Sequence, residues 1–254
     1  MITDPWFYAA AIPAVLLFGI SKGGFGGGLG TAAVPLMALV ISPIQAAAIL
    51  LPILCVMDIV AVWKFRGRWI WPELKILLPA SLVGIVVGTL LFELMSAAIV
   101  KLIVGLVAII FTVHHWSRKY SVIPSGREYF PRSYGLLGGA VAGFTSFVAH
   151  AGGPPVNMYL LRRPLDRTEF AATTILFFAV VNYVKLLPYG WLGQLSADNL
   201  ATSGALVVFA PIGVLTGAWL HARISDRCFF LLVHTLLFVV GLKLIFDGIS
   251  ALLN

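Results

Sequence analysis

Of 254 residues, 60% are hydrophobic and 11% are charged, and the mean hydropathy is +1.01. This excludes an ordinary soluble domain, and the lack of short strands alternating polar with apolar residues excludes a membrane β-barrel. The net charge of +7 does not mark a nucleic-acid binder, because the basic residues lie in short loops between apolar runs, as the positive-inside rule requires.

The chain opens on "MITDPWFY", which has an acid and no basic stretch, so a cleaved signal peptide is not expected. Region 5–41 is apolar but interrupted by "SKGGFGGGLGTAAVP", Ser21 to Pro35, where six glycines follow Lys22 within eight residues. Long apolar runs follow at about 46–63, 74–92 and 97–117, each long enough to cross a hydrocarbon core about 30 Å thick. Asp58 is the one acid well inside such a run. A polar connector, residues 118–133, then divides the chain into a first membrane unit, 1–117, and a second, 134–254. The second begins with another interrupted stretch, 134–161, containing "GFTSFVAHAGGPPVNMYL", Gly143 to Leu160. Runs at 168–188, 200–221 and 227–247 complete it. Cys55 and Cys228 lie within apolar runs and read as small buried hydrophobes.

The two units repeat. At an offset of 124, Gly19 meets Gly143, Ser21 meets Thr145, Gly28 meets Gly152 and Asp58 meets Asn182; at 129, Gly84 meets Gly213 and Gly88 meets Gly217. Gly84 with Gly88, and Gly213 with Gly217, read as helix-packing pairs. The loops near 64–75, 118–132, 162–167 and 223–227 hold thirteen of the seventeen lysines and arginines, which places them in the cytoplasm and both termini outside. Each broken stretch must then enter and return on one side. The expected fold is an all-α, polytopic membrane protein of two inverted-topology repeats, each a broken or re-entrant hairpin plus three transmembrane helices.

Non-helical backbone at membrane depth must line a cavity or be buried in protein. Glycine brings N–H groups close to a ligand, and half-helix N-termini favour anions. The two breaks are therefore expected to face each other and form one donor-rich pocket for an anion. Its expected ligands are Ser21, Lys22, Gly26, Gly27, Gly28, Gly30 and Thr31 from the first break. The second supplies Thr145, Ser146, His150, Gly152, Gly153, Pro154 and Asn157. Asp58, Asn182 and Lys185 are coupling or gating candidates. Lys185, with Lys101 and Lys243, falls near the outer end of its run, where a stem snorkelling to the interface is expected.

"FGGGLGTAAVPLM" and "HAGGPPVNMYLL", with the repeat and the length, resemble the TauE/SafE family of sulfite and organosulfonate exporters. The resemblance implies an inner-membrane permease for a small sulfur-containing anion. It implies no enzymatic activity and no cofactor. The expected function is a secondary transporter working by alternating access, in the direction of export, with the lipid bilayer as surroundings, a proton as the optional coupling ion and room for a homo-oligomer. One negative charge leaving a negative interior gains about 2.3 kcal/mol per 100 mV. The alternative is a cation or proton-coupled transporter of another small solute, centred on Asp58.

Overall fold

The computed structural model describes residues 1–24, 28–118, 131–221 and 226–253. Gly26, Gly27, most of the connector and the side chain of Cys228 lie outside the described residues.

Among the described residues every regular element is helical. The helices are α1 (Pro5–Gly24), α2 (Ala33–Met37), α3 (Pro43–Lys64), α4 (Trp71–Leu91), α5 (Ala97–Arg118), α6 (Arg132–Ala149), α7 (Gly153–Leu160), α8 (Arg167–Trp191), α9 (Ala197–Leu206), α10 (Phe209–His221) and α11 (Asp226–Leu253). Local chemistry sets several starts. Ser42 accepts from the Gln45 N–H at 3.1 Å ahead of Pro43, which needs no partner in a first turn. Asp166 and Glu169 form a reciprocal capping box on α8, at 2.7 and 2.9 Å.

Among the described residues, four helices are long and apolar enough to cross a membrane: Pro5–Gly23, Pro43–Lys64, Trp71–Leu91 and Thr168–Trp191. A fifth span arises if Ala197–Leu206 and Phe209–Gly217, bent by 44°, count as one. The bend departs from the straight span expected at 200–221. Pro211 has no N–H for the carbonyl four residues back, and its ring crowds that carbonyl, so the helix breaks just before it. Both interrupted stretches have unequal arms: a long helix (α1, α6), a break, then a short piece.

The order of elements recurs. The starts of α3 and α8 are 124 residues apart, and those of α5 and α11 are 129 apart. The heaviest packing crosses between the units, α4 on α6 and α1 on α10, while α5 meets α11 and α3 meets α8. Glycines allow these crossings. A Cβ on Gly19 would stand 2.8 Å from the Gly213 backbone, and one on Gly143 would stand 2.7 Å from the Ser81 carbonyl carbon. The expected packing role of Gly84 and Gly213 is met in both crossings. α3 is the most enclosed span, with 67% of its apolar window buried against 39% for α4. α4 turns Leu82, Val83, Val86, Val87 and Leu90 outward, the apolar face a bilayer requires.

Candidate functional site

The first break folds back onto the helix it leaves. Ser21 is fully buried, and its hydroxyl accepts the Gly30 N–H at 3.1 Å. Gly30 lies flat on Phe18, where a Cβ would come within 2.6 Å of the ring. That contact explains a glycine at this position. Lys22, 8% exposed, points toward α3. There its ammonium pairs with Asp58, itself 1% exposed, and stands 5.6 Å above the Phe18 ring. The second Asp58 oxygen accepts from Asn182 Nδ2 at 2.6 Å. The Asp58–Asn182 bond joins α3 to α8 at positions that align with each other in the sequence repeat.

The second break turns on His150, which closes α6 in the left-handed conformation at φ 51°. Glycine or asparagine normally fills such a cap, and another side chain costs of order 1–2 kcal/mol there. Both ring nitrogens are anchored. Nε2 is 2.9 Å from the Ala47 carbonyl, so it carries the proton and donates. Nδ1 then accepts, from Lys185 Nζ at 2.7 Å. Lys185 donates its two remaining N–H groups to the Ser146 carbonyl and hydroxyl, each at 2.9 Å. Three acceptors for three donors is the full complement of an ammonium.

Between these networks lies a cleft of about 640 Å³, counted with the open space at its mouth. Its described wall is Phe18, Lys22, Leu54, Asp58, Phe65, Ser146, His150, Gly153, Ala171, Thr174, Ile175, Phe178 and Asn182. It runs from the level of His150 and Asn182 to Phe65 and Ala171, at the bundle end that carries loops 65–70 and 161–166. Lys22, Ser146, His150, Gly153, Asp58 and Asn182 are thus brought together as residues of one wall. Ser21, Gly30, Thr31, Thr145, Gly152, Pro154, Asn157 and Lys185 fall outside that wall. Thr145 bonds the Val141 carbonyl of its own helix at 2.8 Å. Asn157 Oδ1 is buried without a hydrogen-bond partner. Pro154 and Pro155 have no N–H, so the first turn of α7 offers fewer backbone donors than a helix start normally does.

Lys185 corrects one expectation. It does not snorkel: it is fully buried and held from behind the cleft wall by Ser146 and His150. Lys243 does lie near the surface, paired with Asp247 at 2.6 Å. Thr174 was missed by sequence reasoning, because it lies in an unbroken apolar run with nothing to distinguish it. So was Glu73, 4% exposed, which accepts from Tyr159 at 2.6 Å and from Arg163 at 2.8 Å and ties α4 to the end of α7.

The charge balance around the cleft is uneven. Among the described residues around the cleft, two buried lysines, Lys22 and Lys185, accompany one buried acidic side chain, Asp58. No group of three or more His, Cys, Asp and Glu residues that could hold a metal ion occurs among them.

Apolar spans, two broken helices and a cleft between them that carries a few polar side chains are the parts of a multi-pass membrane transporter. The family described as sulfite exporter TauE/SafE matches residues 11–244. The chain belongs to that family, and it is a transporter of sulfur-containing anions rather than an enzyme. No curated protein matches the chain, and no solved structure does.

Proposed function

We propose that the cleft between the two breaks is the transport site, that it takes one small sulfur oxyanion at a time, and that the protein exports it across the inner membrane by alternating access. The observation that carries this reading is the pair of buried lysines around the cleft, set against a single buried carboxyl group. An unpaired charge in a low-dielectric interior is costly, and a bound anion cancels the cost. Lys22, Ser146, His150, Gly153 and Asn182 are the binding residues in the wall, and Lys185 supplies charge from behind them through His150 and Ser146. Phe18, Leu54, Ile175 and Phe178 leave the remaining wall apolar, which suits an organic sulfonate as well as sulfite.

Asp58 is the internal rival of the anion, because it occupies the ammonium that the anion needs. The cleft reaches the end with the basic loops, and in the proposed topology that is the cytoplasmic end, with both termini outside. This is the loading side for an exporter. The recurring order of elements and the packing of α1 on α10 and α4 on α6 support two inverted repeats that rock against each other.

The test is flux in proteoliposomes of the purified protein, with sulfite, thiosulfate, sulfate and methanesulfonate, each with and without an imposed potential or pH gradient. Saturable flux of a sulfur anion is expected. Movement of a cation with no anion flux would transfer the site to Asp58 and overturn the reading.

A further inference from the structure

We infer that the Thr174 hydroxyl is a direct ligand of the transported anion, donating a hydrogen bond to one of its oxygens. This rests on the reading of the cleft as an anion site. Thr174 is 2% exposed, its Oγ1 has no hydrogen-bond partner, and it lines the same cleft as Lys22.

Buried threonines elsewhere in this bundle do not behave this way. Thr112 bonds the Ala108 carbonyl at 2.9 Å and Thr202 the Asp198 carbonyl at 2.8 Å, each four residues back on its own helix. The adjacent Thr173 accepts the Ile70 N–H at 3.0 Å. A helical threonine has that backbone bond within reach at all times. Thr174 leaves it unmade although its hydroxyl is out of water, and an unsatisfied buried donor is among the more expensive defects a fold can keep. Such a defect persists where something absent from the ligand-free molecule completes it. The cleft supplies the place, and the two lysines around it specify what comes: an oxygen that carries negative charge. A hydroxyl donor beside a lysine discriminates oxyanions from halides of the same charge, because it adds a directional bond that a charge alone does not.

The inference predicts opposite effects on stability and binding. Thr174→Val keeps the volume and the branch and removes the hydroxyl. In ligand-free protein the valine variant should melt at the same temperature as the parent or higher, since an unmatched polar group has become apolar. In proteoliposomes, its half-saturating concentration for methanesulfonate and for sulfite should rise roughly 10- to 100-fold, the loss expected for a hydrogen bond to a charged group. Thr174→Ser, which restores the hydroxyl without the methyl, should return to within about threefold of the parent, a difference well below the loss of a charged hydrogen bond. Thr174→Ala serves as a second hydroxyl-free variant and should follow the valine in binding. Equal saturation for Val, Ala and parent would overturn the inference and leave the anion site standing. Equal impairment of Ser and Val would also overturn it, by showing that the side chain acts through packing. Absence of anion flux in the parent protein would remove the site itself and this inference with it.

Discussion

At the residue scale, the bundle buries few charged side chains, and two of them sit together beside the cleft. Lys22 and Asp58 are both out of water, and each is the other's principal partner. Removing one leaves its partner charged and stranded, which costs about 3–5 kcal/mol, whereas removing both costs far less. Lys22→Ala and Asp58→Ala should therefore each lower thermal stability in detergent sharply, and the double variant should recover most of the loss. Additive effects across that cycle would show that the two side chains do not act as a pair. His150 adds a second residue-scale constraint. Its left-handed backbone is held by Ala47 through one ring nitrogen and by Lys185 through the other. The residue thus binds the break of α6 to α3 and α8 together.

At the element scale, close helix crossings hold the site in place. α6 reaches α4 only because Gly143 and Gly84 carry no side chain at the crossing. Gly143→Ala puts a methyl against the Ser81 backbone, so α4 must shift; overpacking of this kind costs about 1–3 kcal/mol. Gly204, inside α9, has open space where its Cβ would stand. There alanine removes a helix-weakening glycine, for a gain of up to about 1 kcal/mol. Thermal unfolding of the two alanine variants should therefore move in opposite directions. A drop at Gly204 equal to that at Gly143 would mean that the crossings have no special role.

At the scale of the whole molecule, the cleft wall extends to Phe65 and Ala171. Elsewhere the units are tied together by Ser203 to the Ile49 carbonyl at 2.7 Å and Gln45 to Asn199 at 3.2 Å, and within the second unit Tyr189 donates to the Phe147 carbonyl at 2.5 Å. A cysteine at Ala171, in a background with Cys55 and Cys228 replaced by alanine, should react with a membrane-impermeant thiol reagent from the side of loops 65–70 alone, and saturating methanesulfonate should slow it. Labelling from the opposite side alone would reverse the proposed topology.

Much of this scale was legible in the sequence. Run lengths marked the spans, Gly and Pro clusters marked both breaks, and small residues in register marked the crossings, because each is a local pattern with a local cause. The site was legible only in part. Lys22, Asp58, His150 and Asn182 stood out as polar residues in apolar surroundings. The inward turn of Lys185, the bare hydroxyl of Thr174 and the clasp of Glu73 by Arg163 depend on neighbours far along the chain. No periodicity carries that information.

The central claim is that the buried lysines around the cleft hold the anion, and Lys185 is the residue to change. Lys185→Gln keeps hydrogen-bonding capacity toward Ser146 and His150 and removes the charge. Methanesulfonate uptake into proteoliposomes should then show a half-saturating concentration at least about tenfold higher than the parent's, the scale of a lost charged interaction, with the protein still folded. An unchanged concentration in the folded variant would contradict the account.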